Sequence, residues 1–87
     1  MLEKIKLDLR ISHNEMDSDI LDNIDAALSD MERAGIVNIE NTDILTIRAV
    51  KHYCRWQYNF EGEADRYRKA YEDLVSVMSL HDRYRNV

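Results

Sequence analysis

The chain has 87 residues, 45% of them hydrophobic, with no proline and one cysteine; this is room for one domain around a single core and excludes an internal disulfide. Twelve Lys and Arg against 17 Asp and Glu leave a net charge of -5, which opposes the counterion release that drives most binding to DNA or RNA. No apolar run is long enough to cross a membrane or to form the core of a secretion signal, and a lone cysteine fits a reducing cytoplasm.

The first element, LEKIKLDLR, places Leu2, Ile5 and Leu9 along one side and ends near Arg10. About two turns is marginal for a helix unless it packs onto others. A second helix starts with Asp17 or Ser18 as N-cap and stops at Gly35, the residue type that most readily takes the left-handed conformation at a helix end. Its apolar stripe is Ile20, Leu21, Ile24, Ala27, Leu28 and Met31, and the opposite face carries Asp22, Asp25, Ser29, Glu32 and Arg33.

The loop GIVNIENT follows. Its three β-branched apolar residues are either tucked under the domain or offered to a partner. Thr42 or Asp43 caps a third helix reaching Phe60, whose apolar arc through Leu45, Ile47, Ala49, Val50, Tyr53, Cys54, Trp56 and Phe60 is wide enough for a central helix. Arg48, Lys51, His52 and Arg55 stack along its remaining face as a basic stripe. Beyond Gly62 a fourth helix buries Tyr67, Ala70, Tyr71, Leu74, Val75 and Met78.

The predicted fold is therefore all-α: a compact bundle of about four helices, one short and three longer, over residues 1–80. Residues 81–87 form a flexible polar tail that orders on contact with a partner.

Chemistry finds little footing. His52 and Cys54 lie two apart on a helix and point in nearly opposite directions, so they neither share a metal nor form a nucleophile and base. The run DSDILDN has Leu21 where a calcium loop needs a ligand, and it lacks the glycine of the sharp turn. Two glycines cannot build a phosphate loop. The expectation is a non-enzyme with no cofactor and no metal. Arginines among aromatics, as in CRWQY and DRYRKAY, can stack on bases, yet Tyr53, Phe60, Tyr67 and Tyr71 fall on core faces and Trp56 at their border.

Charge is segregated. Residues 15 to 43 hold nine acids and one base, while Ile44 to Phe60 hold three bases and no acid. A body with two unlike faces can bind copies of itself head to tail.

Taken together, MLEKIKLDLRISHNEMDSDILDNIDAALSDMERAGI, then DILTIRAVKHYCRW, then EADRYRKAYEDLVSVM resemble, in order, spacing and total length, the small head-tail connector (adaptor) proteins of long-tailed bacteriophages and prophages. The resemblance implies a helical subunit that forms a dodecameric ring and docks beneath the portal protein of the DNA-filled head. The ring would present a surface to the tail or a stopper protein and let double-stranded DNA pass through its channel without specific binding. It also implies a place at the head-tail junction of the virion, with assembly in the cytoplasm of the bacterial host.

Within such a ring, Asp22, Asp25, Ser29 and Glu32 are expected to face Arg48, Lys51 and Arg55 of a neighbour, with Trp56 among the apolar residues that hold the contact. The competing expectations are that both stripes face water, or that the acidic one lines the channel. By the same resemblance the C-terminal residues His81, Arg83, Tyr84 and Arg85 are expected to meet the portal, so that a chain ending at Leu80 folds normally but does not bind heads. The rival from another class is a small helical regulator that binds nucleic acid through Arg48, Lys51, Arg55 and the DRYRK segment.

Overall fold

The computed structural model describes residues 1–37 and 39–85. It contains four α-helices, α1 (Leu2–Leu9), α2 (Asp17–Arg33), α3 (Ile44–Gln57) and α4 (Ala64–Met78), with short 3-10 turns at Phe60–Gly62 and Asp82–Tyr84. Among the described residues there is no strand. The all-helical prediction holds, with the third helix three residues shorter than expected.

Each boundary has a local cause. α1 ends where Arg10 turns left-handed (φ 61). α2 ends in a Schellman arrangement: Gly35 takes φ 92, the Ile36 amide donates to the Met31 carbonyl at 3.0 Å, and Ile36 and Met31 pack in the same cluster. Of the two cap candidates for α3, Asp43 rather than Thr42 occupies the position, its Oδ2 accepting from the Thr46 amide at 2.9 Å. The α3 to α4 corner uses three left-handed residues, Asn59, Glu61 and Gly62, and this turn is why α3 stops before Phe60. The N-terminus of α2 differs from expectation. Met16, not Asp17 or Ser18, occupies the cap position, and Asp17 instead pairs with Lys6 of α1 at 2.8 Å while Lys6 also donates to Asn14 Oδ1 at 2.7 Å. Lys6 is buried by this pairing, a satisfied charge rather than a cost, and it clamps the loop between α1 and α2.

α3 is the central helix and packs against the other three. Its residues divide between two apolar clusters. Val50 and Cys54 join Ile5 and Leu9 of α1 and Ile20, Ile24 and Ala27 of α2. Ala49 joins Met31, Ile36, Tyr71, Val75, Met78 and Tyr84. Leu21, expected on the buried stripe of α2, lies outside it and is exposed.

Tyr84 is the largest departure from the sequence reading. The residues predicted to order only on a partner are docked onto the domain as far as described: Tyr84 is 1% exposed, its hydroxyl donates to Asp43 Oδ2 at 2.7 Å, and its carbonyl accepts from the Val37 amide at 2.7 Å. Arg83 Nη2 reaches Asp43 Oδ1 at 2.7 Å. A chain ending at Leu80 loses a core aromatic, so a less stable domain replaces the expectation of unchanged folding. Asn86 and Val87, the end of the predicted tail, and Asn38 of the loop lie outside the described residues.

Candidate functional site

Two surfaces carry charge that the domain does not neutralise internally. The first is the outward ridge of α2, where Asp22, Asp25, Ser29 and Glu32 are all exposed, as expected. Among the described residues Asp22, Asp25 and Glu32 have no cationic partner, whereas Asp30 of the same helix binds Arg33 at 3.3 Å and accepts from the Tyr71 hydroxyl at 2.6 Å. Where this ridge meets the loop before α3, Asp25, Ser29 and Glu32 border a shallow groove with Leu28, Val37 and Ile39. The loop thus follows both readings of its apolar residues: Ile36 is buried, while Val37 stands in solvent.

The second surface is the basic side of α3, and here the sequence grouping breaks apart. Arg48 and Lys51 border a groove between α1 and α3, joined by Lys4 of α1. Arg55 is consumed inside the domain. Its Nε and Nη2 donate to the two carboxylate oxygens of Asp8, each at 2.7 Å, its Nη1 donates to the Tyr67 hydroxyl oxygen at 3.2 Å, and its guanidinium lies over the rings of Phe60 and Tyr67. Such a fork-to-fork pair between α1 and α3 leaves Arg55 little to offer a neighbour. The Asp8 hydrogen bonds raise the Arg55 pKa further, so the charge is fixed.

Trp56 lies half-buried at the border of the core, as expected, packing edge-on against Tyr53 (5.5 Å between centroids) and beside Tyr71 at 6.2 Å. His52 sits among these cations with its Nδ1 buried and unpartnered among the described residues. Burial, then the nearby Arg55 and Arg48, outweigh Asp8 and push its pKa below the ordinary value, so the ring is neutral at pH 7. Cys54 is inert for the same kind of reason: burial pushes its thiol up to about 12.

At the C-terminal end, His81, Arg83 and Arg85 are exposed, but Tyr84 points into the core. Of the four residues expected at the portal, three remain on the surface and Tyr84 serves to anchor them. The anchor is Asp43, which holds the α3 N-terminus and residues 83–84 together. Burial raises its pKa, but the Tyr84 hydroxyl, the Thr46 amide and hydroxyl, and Arg83 outweigh that and hold the carboxyl below its usual range.

Sequence reasoning missed Lys4, Leu7 and Ile44. Leu7 and Ile44 are 80% and 74% exposed and flank the groove of Lys4, Arg48 and Lys51. Leu7 breaks the 2-5-9 stripe of α1, and that break was the available signal. Among the described residues, no group of three or more His, Cys, Asp or Glu side chains is placed to hold a metal, and no helix is long and apolar enough to cross a membrane.

A family model described as "Phage connector protein" matches residues 1–85. No curated protein and no solved structure matches the chain.

Proposed function

The chain belongs to the phage connector protein family, and from that premise we propose that it is a non-enzymatic structural subunit of a tailed phage or prophage. In this reading its copies form a ring at the head-tail junction, between the portal of the DNA-filled head and the tail or stopper protein. The family match over residues 1–85 carries the reading. The two unneutralised surfaces support it, because a subunit that must join identical neighbours needs a donor face and an acceptor face.

The net charge of -5 supports a channel through which DNA slides rather than binds. It also weighs against the regulator reading, since only Arg48 and Lys51 of its proposed α3 contacts remain available. Docking on the portal falls to the exposed part of the C-terminal segment, His81, Arg83 and Arg85, held out by the buried Tyr84.

The test is co-sedimentation of the purified protein with tailless, DNA-filled heads of the phage that encodes it, alongside a gel shift with duplex DNA over a salt series. Binding to heads without a salt-sensitive duplex shift is the expected result. Duplex binding that falls steeply with salt, with no retention on heads, is the regulator's signature and overturns the proposal.

A further inference from the structure

Among the described residues, most of the Lys and Arg side chains are paired with acids inside the domain, among them Lys6, Arg55 and Arg83. Of those with no acidic partner among the described residues, Lys69 lies on α4, while Lys4, Arg48 and Lys51 meet at the groove between α1 and α3. Asp8 on the same wall does not balance them, because Arg55 already takes both of its carboxylate oxygens. The groove is also apolar. Leu7 and Ile44 are among the most exposed large hydrophobic side chains of the domain, and Ile47 lies beside them. A basic rim around an exposed apolar patch calls for an acidic, partly apolar ridge.

The chain itself displays one. Along α2, Asp22, Asp25, Ser29 and Glu32 recur at helical spacing on one face, with exposed Leu21 and half-buried Leu28 beside them. Arg48 and Lys51 repeat the three-residue step that separates Asp22 from Asp25, so one rise along a helix matches the other. We infer that the groove between α1 and α3 is the seat for the α2 ridge of a second copy of this chain. Leu7 and Ile44 form the apolar anchor, and Lys4, Arg48 and Lys51 face Asp22, Asp25 and Glu32.

The inference rests on the connector reading and deepens it, assigning α1 a part in the contact and removing Arg55 from it. The two surfaces share no residue, so after a first contact one copy keeps a free groove and the other a free ridge, and the series ends only by closing. Exposed charge pairs contribute little singly, so the apolar anchor holds the contact and the charges set its register and partner.

Sedimentation velocity of two reversed proteins tests this. One carries Arg48→Glu with Lys51→Glu, the other Asp22→Lys with Asp25→Lys. All four side chains lie outside the core and form no ion pair among the described residues, and circular dichroism checks that the fold is kept. Each protein alone presents like charges at the contact and is expected to need about tenfold or more protein than wild type to assemble. An equimolar mixture should assemble again, because every reversed groove then meets a reversed ridge. Leu7→Ser with Ile44→Ser should weaken assembly with no rescue by either charge variant.

Reversed proteins that assemble as wild type does, a mixture that fails to recover, or a wild type that stays monomeric up to millimolar concentration both with and without DNA-filled heads each overturn the inference. Retention of these same proteins on DNA-filled heads would leave the connector reading standing and place the contact elsewhere.

Discussion

Replacing Asp43 with alanine is expected to lower the melting temperature by roughly 15 °C, from a loss of about 3 kcal/mol in a domain of this size. Asp43 is the junction of three parts of the chain. It accepts from the Thr46 amide and hydroxyl at 2.9 Å, from the Tyr84 hydroxyl at 2.7 Å, and binds Arg83 at 2.7 Å. Loss of the cap alone costs about 1 kcal/mol, and leaving the hydroxyls of Thr46 and Tyr84 buried without an acceptor costs about 1–3 kcal/mol each. Asparagine keeps the cap but not the charge opposite Arg83, so Asp43→Asn should fall between alanine and wild type.

Acid gives the same experiment a second axis. The folded-state pKa of Asp43 lies below its ordinary value, so its contribution is complete above the unfolded carboxylate pKa of about 4 and is lost as pH falls through the folded value. The gap in stability between wild type and Asp43→Ala should be constant at neutral pH and narrow below pH about 4. Thermal melts by circular dichroism from pH 7 to pH 3 measure both effects. A gap that is small at pH 7, or that widens in acid, contradicts the anchoring role.

Arg55→Glu is expected to be the most damaging surface-directed charge reversal in the chain. The Arg55 and Asp8 side chains are 28% and 13% exposed. Breaking a fully buried pair costs about 3–5 kcal/mol, and partial exposure of Arg55 places this one near the lower end. Glutamate also sets two carboxylates together and removes the guanidinium from the rings of Phe60 and Tyr67. Lys51→Glu, with no ion pair among the described residues, should change stability by less than about 0.5 kcal/mol.

Because Arg55 is spent on Asp8, its reversal cannot separate assembly from folding, which is why Arg48 and Lys51 are paired in the assembly test. Asp8→Leu combined with Arg55→Met should recover much of the loss, because apolar replacement of both partners leaves no charge stranded. Urea denaturation of the four proteins reads these differences. Equal midpoints for Arg55→Glu and Lys51→Glu would contradict the pairing.

What was legible in the sequence was local. Gly35 marks the end of α2 and Asp43 the start of α3 because both act on backbone groups within a few residues of themselves. The 3.6-residue recurrence of Ile20, Ile24, Ala27 and Met31 likewise names the face that becomes buried. The acidic ridge was legible for the same reason, since its residues share one helix.

What was not legible depends on pairing across long separations. Asp8 and Arg55 are 47 residues apart, so nothing in the stripe of α3 distinguishes Arg55, which is spent within the domain, from Lys51, which is not. Tyr84 sits among charged residues, and its place in the core rests on distant partners: Asp43, 41 residues away, the Val37 amide, and the cluster of Met31, Ile36 and Met78. Leu7 and Ile44 show a further limit. Leu7 stands off the stripe of α1, but that it shares one groove with Ile44 appears only when α1 lies beside α3.

The account stands on the claim that this subunit is built to join copies of itself through unlike faces. Native mass spectrometry of the wild-type protein across a concentration series, with and without DNA-filled heads, tests it most directly. The account predicts one closed species of about a dozen copies that replaces monomer as concentration rises or heads are added. Monomer or a two-fold dimer at every concentration, in the presence of heads as well as in their absence, would contradict it.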